Sequence, residues 1–224
     1  MTLTKHNFLT RTITGVVFVV VVLAAMLAGR GSYFALLLFV AGWCSIEFWR
    51  IARSLAVRWM GVLVIVLCMV AMWFFPTIGD GMTDGVPGWD VRIAPAFMMV
   101  VWANDIFAYL VGITLGRHKM SPKISPHKSW EGFAGGITGA TIASALLGRL
   151  WLGGDVWLWT AFGVLVALAA VGGDLLESSF KRAAGVKDSG RLLPGHGGLL
   201  DRFDATLGAV PVAFMFFLVT HWLL

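Results

Sequence analysis

The sequence predicts an all-α fold: a polytopic integral membrane bundle of about seven transmembrane helices, with the N-terminus in the cytoplasm. The first observation is composition, since 58% of the 224 residues are hydrophobic and only 13% are charged. A soluble domain carries about 25% charged residues, so a bilayer is the expected solvent. The second is the mean hydropathy of +0.84. The third is a series of long apolar runs rich in Trp, a residue typical of membrane interfaces.

Each predicted helix is an apolar run close to the length of about 20 residues that crosses a bilayer. The first run is not followed by a small-residue cleavage site and a soluble domain, so we expect a retained span rather than a removed signal peptide. Both cysteines lie inside apolar runs, which argues against a disulfide framework or a zinc site. The seven predicted spans are residues 12–28, 32–51, 59–76, 93–115, 133–151, 156–177 and 203–224.

Polar segments separate these spans in order. Arg30 follows the first span, and a basic segment ending at Arg58 follows the second. An acidic segment separates the third span from the fourth, and loop 116–132 separates the fourth from the fifth. A short segment with Asp155 precedes the sixth span, and loop 178–203 leads to the seventh. We find no internal repeat and expect one domain over residues 1–224.

The distribution of basic residues predicts the orientation. With a cytoplasmic N-terminus and seven spans, all but three of the 17 lysines and arginines fall in cytoplasmic segments, and the three exceptions are Arg30, Arg92 and Arg149. This is a strong positive-inside bias. The net charge of +5 is therefore explained by topology and anionic lipid, and no nucleic-acid-binding module is visible.

Loop 116–132 is the first of two long cytoplasmic loops. It holds two Ser-Pro pairs, followed by Lys128, Ser129 and Glu131 at the start of the fifth span. Ser129 or Ser125 is a candidate N-cap for that span, and a helix N-terminus attracts anions. A positive-inside anchor is the plainer interpretation of the same charges, and both stay open on the residues alone.

Carboxylates inside the apolar runs are candidates for function, because a charge at the centre of a membrane helix costs about 3 kcal/mol. Asp105, beside Asn104, lies halfway along the fourth span. It has two open interpretations, the lining of a substrate cavity and a structural hydrogen bond. For Glu47 in the second span we expect snorkelling, or a pair with Arg50 or Arg53.

Two further acids flank the second long loop. Asp174 lies near the cytoplasmic end of the sixth span, on one helical face with Lys181, while Asp201 and Asp204 begin the seventh. Since the chain doubles back between these helices, Asp174 and Asp201 are able to reach one metal ion. The alternative for Asp174 is an internal ion pair with Lys181 or Arg182.

The stretch from 178 to 204 reads SSFKRAAGVKDSGRLLPGHGGLLDRFD. It combines acids suited to a divalent cation, bases suited to phosphate and glycines whose backbone N–H groups can cradle phosphate oxygens. Gly197 and Gly198 are candidates for that backbone nest. His196 has two open interpretations, a donor or proton carrier at a phosphate and a loop-packing residue.

The same stretch resembles the signature of the phosphatidate cytidylyltransferase (CDP-diacylglycerol synthase) family. The residues that carry the likeness are Lys181-Arg182, Lys187-Asp188, Gly190, Leu193-Pro194, His196-Gly197-Gly198-Leu199 and Asp201-Arg202-Phe203-Asp204. Upstream segments are similar to the family too, namely Asp105-x2-Ala108-Tyr109, Ser125-Pro126-x-Lys128-Ser129-Trp130-Glu131-Gly132 and Gly172-Gly173-Asp174. The likeness covers the C-terminal half firmly, and the first three spans only by hydrophobicity.

The resemblance implies transfer of a cytidylyl group from CTP to phosphatidate, at the cytoplasmic face of the inner membrane, by a possible homodimer. It divides the chain into N-terminal spans over 1–92 and a catalytic part over 93–224. It implies that Asp174 and Asp201 hold Mg²⁺. Implied phosphate-binding residues are Lys181, Arg182, Lys187 and Arg202, with Asp188, His196 and Asp204 as catalytic positions that orient them. Implied substrate-binding residues are Asn104, Asp105, Ser125, Lys128, Ser129, Glu131, Gly197 and Gly198.

Two other classes of membrane protein remain as alternatives, and a third is disfavoured because its motif is missing. A CTP-dependent polyprenol or phytol kinase shares basic loops and magnesium carboxylates. A CDP-alcohol phosphotransferase needs an aspartate cluster that Asp80 and Asp84 do not supply. An ion-coupled transporter explains intramembrane acids but predicts repeated halves, and no such repeat is evident.

Overall fold

The computed structural model describes residues 5–84, 88–193 and 197–223, and it confirms an all-α polytopic bundle over those residues. The described part holds seven α-helices: α1 (Lys5–Leu27), α2 (Arg30–Ile51), α3 (Leu55–Ile78), α4 (Ile93–Leu115), α5 (Trp130–Leu150), α6 (Val156–Ala184) and α7 (Leu200–Leu223). Six of these, α2 to α7, are long and apolar enough to span a membrane, while the apolar part of α1, Thr12–Leu27, is shorter. The chain is an integral membrane protein, and its predicted orientation stays a prediction.

The end of α6 differs from its predicted span by seven residues. The helix continues past residue 177 to Ala184, so Lys181 and Arg182 lie on the helix rather than in a loop. It ends where Gly185 takes a φ of 76° and donates from its N–H to the Arg182 carbonyl. Val186 donates in turn to the Lys181 carbonyl at 3.0 Å. Glycine suits this left-handed C-terminal position, because it has no Cβ.

The loop between α4 and α5 forms a small β-hairpin that the sequence did not predict. Strands β1 (Lys119–Ser121) and β2 (Ser125–Ser129) pair antiparallel, with Lys119 opposite Ser129. A turn closes the hairpin through the Ile124 N–H and the Ser121 carbonyl, 3.3 Å apart. Ser-Pro pairs gave no alternating apolar pattern, so nothing in the sequence favoured a strand here.

The chain divides into two compact units. The first unit comprises Met1–Val70 and Phe180–Phe203, and the second comprises Ala71–Ser179 and Asp204–Leu224. Within the first unit, Phe48 packs edge-to-face on Phe180 with ring centroids 5.5 Å apart, and Phe18 packs on Phe203 at 6.0 Å. The single domain and the division at residue 92 expected from sequence stay predictions.

An aromatic core holds the second unit together. Its rings belong to α3, α4, α6 and α7, with neighbouring centroids 4.9 to 6.4 Å apart, and they are Phe75, Phe97, Trp159, Phe162 and Phe217. All five side chains are fully buried. The polar edge of Trp159 is satisfied too, because its Nε1 donates to the Met82 carbonyl at 3.1 Å. Such clusters of buried rings dominate core energetics.

Glycines bring helices of the second unit into close contact. A Cβ added at Gly173 on α6 would lie 2.5 Å from the Gly208 Cα on α7. On α5, a Cβ at Gly136 would lie 2.8 Å from the Asn104 Oδ1 of α4. Small residues are typical where membrane helices approach closely. These contacts pack α6 closely against α7 and α5 closely against α4.

An ion-pair cluster orders the segment before α4. The Arg92 guanidinium donates to Asp90 at 2.8 Å and to Asp84 at 2.9 Å, and it also bonds the Trp151 carbonyl at 2.7 Å. Burial raises the pKa of Asp90, but hydrogen bonds from Arg92 and Thr83 outweigh that effect and hold the pKa below its ordinary value. The cluster lies outside the two predicted cytoplasmic loops.

Candidate active site

The second unit contains a polar cavity of about 230 Å³ among its apolar helices. Residues of α4, the hairpin, α5 and α6 line it, and the polar ones predicted as site residues are Asn104, Asp105, Lys128, Ser129 and Asp174. A concave pocket with convergent polar groups is the usual form of a small-molecule site. Five of the predicted site residues therefore share one cavity.

An ion pair joins two walls of this cavity. The Lys128 ammonium on β2 lies 2.7 Å from Oδ2 of Asp174 on α6, and the two side chains are 23% and 30% exposed. The other carboxylate oxygen of Asp174 accepts a hydrogen bond from the Ser178 hydroxyl at 3.2 Å. The sequence proposed Lys181 or Arg182 as an ionic partner for Asp174, and the partner within this unit is Lys128 instead.

Asn104 and Asp105 form the α4 wall of the cavity. The Asn104 amide donates from Nδ2 to Oδ1 of Asp105 at 3.2 Å, so Asp105 makes a structural hydrogen bond and also lines the cavity, while its contact with a substrate stays a prediction. Asn104 is 1% exposed, and among the described residues its Oδ1 has no hydrogen-bond partner. An unsatisfied buried oxygen beside a polar cavity is a natural acceptor for a bound water or ligand donor.

Ser129 both caps α5 and lines the cavity. Its Oγ accepts a hydrogen bond from the Gly132 N–H at 3.1 Å, which confirms Ser129 as the N-cap. Ser125 lies instead on β2 opposite Ser121. Glu131 turns towards the start of the hairpin, where it accepts from the Arg117 N–H at 3.1 Å and lies 2.5 Å from His118 Nδ1. The substrate-binding roles of Ser125 and Glu131 stay predictions.

Asp201 is the centre of a second polar cluster, which belongs to the first unit. The side chain is buried, and its Oδ1 lies 2.8 Å from the Lys181 ammonium. Its Oδ2 accepts hydrogen bonds from the Gly198 N–H at 2.8 Å and the Ser189 N–H at 2.9 Å. Gly197, with a φ of 85°, leaves no room for a Cβ, which would lie 2.8 Å from Oδ2. The Gly198 N–H thus donates to a carboxylate here, and the phosphate nest predicted at Gly197 and Gly198 stays a prediction.

Glu47 of α2 also belongs to this cluster, and our expectation for it was wrong. Its carboxylate is 1% exposed, so it does not snorkel, and it pairs with neither Arg50 nor Arg53. Instead Oε2 accepts from the Leu200 N–H at 2.8 Å and from the Ser189 hydroxyl at 3.1 Å. Sequence reasoning missed this role because the partners lie more than 140 positions along the chain.

The remaining signature residues are mostly at the surface. Lys187, Asp188 and Arg202 are exposed, and Arg182 donates to the Val186 carbonyl at 3.1 Å near the end of α6. Asp204, in the second unit, is half-buried and its Oδ1 accepts from the Ala205 N–H at 2.7 Å. His196 lies outside the described residues. The catalytic roles expected for these residues stay predictions.

The two predicted metal ligands lie in different units, and each faces a lysine. Among the described residues there is no group of three or more His, Cys, Asp or Glu side chains that could hold a metal ion. Carboxylate oxygens are ligands that suit Mg²⁺. In this structure each carboxylate is paired with a lysine ammonium, at 2.7 Å from Asp174 and 2.8 Å from Asp201. The metal assignment to these two carboxylates stays a prediction.

The fold and the two clusters define a class of protein: a helical membrane protein with two acid–lysine ion pairs. Comparison with known proteins then gives the family. Residues 91–220 match the model of the cytidylyltransferase family, which is more than half of the chain. The chain belongs to that family, and the matched range contains both acid–lysine pairs.

Three similar proteins share the name phosphatidate cytidylyltransferase. The chain is 46% identical over 118 residues to a phosphatidate cytidylyltransferase of Mycobacterium bovis, which covers 53% of this chain and 39% of that protein. It is 45% identical over 116 residues to one of Staphylococcus saprophyticus, covering 51% and 44%. It is 42% identical over 142 residues to one of Staphylococcus aureus, covering 63% and 51%. The matched part spans about two fifths to half of the length of these relatives.

Proposed function

We propose that this chain transfers the cytidylyl group of CTP to phosphatidate and forms CDP-diacylglycerol and pyrophosphate. The observation that carries the proposal is the family match over residues 91–220, which includes the Lys128–Asp174 and Lys181–Asp201 pairs. The names of the similar proteins and the unbroken signature over residues 178–204 support the same reaction. The polar cavity among membrane helices suits a lipid with a charged headgroup.

The chemistry requires no nucleophilic side chain. A phosphate oxygen of phosphatidate attacks the α-phosphorus of CTP, the new P–O bond forms, and the bond to the β-phosphate oxygen breaks so that pyrophosphate leaves. The task of the protein is to hold two polyanions together and to stabilise the charge that shifts to the leaving group. Lys128 on the cavity wall and Lys181 beside Asp201 are proposed for this, with Lys187 and Arg202 as exposed phosphate contacts.

We propose Mg²⁺ as the cofactor, with Asp174 and Asp201 as ligands. When bound, the ion neutralises phosphate oxygens and steadies the pyrophosphate leaving group. The support is the oxygen chemistry of the two carboxylates and the lysine ammonium that faces each of them. With such an ion bound, Lys128 and Lys181 would be the ammonium groups left to contact substrate phosphates.

The site is proposed to face the cytoplasm from the inner membrane. The support is the positive-inside bias of the loops and the supply of CTP in the cytoplasm, while the acyl chains stay in the bilayer. A homodimer is part of the proposal on the resemblance alone.

Two forms of CTP, labelled at different phosphorus atoms, distinguish cytidylyl transfer from phosphoryl transfer. Purified protein in detergent is incubated with phosphatidate, Mg²⁺ and CTP labelled at either the α- or the γ-phosphorus. Cytidylyl transfer moves only the α-label into the lipid fraction, whereas a CTP-dependent lipid kinase moves only the γ-label. An Asp174→Asn variant serves as the background control. Lipid labelled only from γ-labelled CTP, or none from either, would overturn the proposal.

A further inference from the structure

We propose that Glu47 is a positioning residue of the active site: from α2 it fixes Ser189 and the first turn of α7, and thereby the Asp201 carboxylate. The inference rests on the proposed function only for its catalytic consequence. The contacts of Glu47, Ser189 and Asp201 all lie within the first unit.

The carboxylate of Glu47 has donors on both oxygens and no ionic partner among the described residues. Its Oε1 accepts from the Trp43 indole N–H at 3.1 Å, one helical turn away on α2. Its Oε2 accepts from the Ser189 hydroxyl at 3.1 Å and the Leu200 N–H at 2.8 Å. A buried carboxylate with three well-placed donors, two of them from another segment, is a cross-link between α2 and the signature loop.

Two short links lead from Glu47 to Asp201. Ser189 gives its hydroxyl to Glu47 and its backbone N–H to Asp201, at 3.1 Å and 2.9 Å. Leu200, the immediate neighbour of Asp201, gives its N–H to the same Glu47 oxygen. Any movement of the Glu47 carboxylate therefore shifts a donor to Asp201 and the backbone that carries it.

The glycines of the loop fit around Glu47. A Cβ added at Gly198 would lie 2.5 Å from Glu47 Oε2, and one at Gly190 would collide with Oε1. Two signature glycines are thus explained by close approach to a carboxylate outside the signature. The absence of side chains at these positions lets the loop lie directly on Glu47.

The test compares Glu47→Gln and Glu47→Leu with the wild-type protein in detergent. Gln keeps the shape but replaces one acceptor oxygen with an NH₂ group, and Leu keeps the volume while removing both acceptors. Asp155→Asn is the matched control, because Asp155 also accepts backbone N–H groups at a helix start, from Trp157 at 2.8 Å and Leu158 at 3.0 Å. Amide hydrogen exchange by mass spectrometry, kcat, and KM for CTP are measured for each.

We expect faster exchange in the peptides that contain Ser189 and Gly198, with the rest of the chain unchanged. We expect kcat to fall about tenfold or more, as for a lost charge-assisted hydrogen bond, with KM for CTP nearly constant. If the Gln amide rotates so that its oxygen still accepts from Ser189 and Leu200, then Glu47→Leu, which has no acceptor, becomes the decisive variant. Asp155→Asn should match the wild type.

Three results would overturn the inference. They are unchanged loop exchange in both variants, faster exchange spread over the whole chain as in general destabilisation, and local loosening with an unchanged kcat. If the wild type itself transfers no cytidylyl group, the proposed function fails, and the exchange data still decide whether Glu47 holds the loop.

Discussion

Replacing Lys128 by Met is the sharpest test of the cavity. The substitution keeps the apolar stem and removes the charge that faces Asp174 at 2.7 Å. We expect kcat/KM for CTP to fall, chiefly through KM, because the cavity then lacks the ammonium group that is proposed to contact a substrate phosphate.

The geometry sets the size of the effect. At 2.7 Å and an effective dielectric constant of about 20, the Coulomb energy of a full charge pair is about 6 kcal/mol, which is an upper limit. The side chains are 23% and 30% exposed, so solvent reduces this energy. An exposed ion pair contributes up to about 1 kcal/mol, and breaking a buried ion pair costs about 3–5 kcal/mol. The Lys128–Asp174 pair lies between these two cases. We expect about 2 kcal/mol, or about 30-fold in kcat/KM.

The assay is the transfer of label from CTP to the lipid fraction over a range of CTP concentrations. Lys123→Met is the control, because Lys123 is exposed on the same hairpin and carries the same charge. A Lys128→Met enzyme within twofold of the wild type would refute the reasoning. An equal loss in Lys123→Met would do so too, since the loop would then act only through its net charge.

Three further predictions concern the carboxylates, the metal and the helix packing. Asp174→Asn and Asp201→Asn should each reduce transfer below about 1% while the protein still elutes as a single species in detergent; measurable turnover above that level would remove the metal assignment. Chelation with EDTA should abolish labelling of lipid, and added Mg²⁺ should restore it; activity that survives chelation would exclude a metal requirement. Gly173→Ala should lower unfolding stability by about 1–3 kcal/mol, because its Cβ would lie 2.5 Å from Gly208. Gly172→Ala is the matched control, since no atom lies within 4 Å of its added Cβ, and equal unfolding midpoints would contradict the packing argument.

The helical fold was predictable because each membrane span must satisfy its own backbone and shows as an apolar run. The bounds of α4 agree with the predicted run at both ends, since Arg92 and Gly116 delimit it. The end of α6 was not predictable from hydropathy, because its last two turns are polar and exposed in part. Hydropathy locates the bilayer portion of a helix and not the helix itself.

The sequence predicted which residues belong to the candidate site better than it predicted which of them bond to one another. Lys128, Ser129 and Asp174 were identified as site residues and do line one cavity, but their pairing depends on how β2 meets α6. Glu47 was misjudged for the same reason. Local spacing offered Arg50 and Arg53 as partners, whereas tertiary structure supplied the Ser189 hydroxyl and a backbone amide.

The hairpin between α4 and α5 has a practical consequence. Its two strands converge on Ser129, which starts α5, and the Trp130 N–H closes the base on the His118 carbonyl at 2.9 Å. Its tip, by contrast, is an exposed turn around Lys123. A fluorophore attached there sits on the same hairpin as Lys128 without replacing any group that lines the cavity, so the proposed binding of nucleotide can be tested in an unmodified pocket.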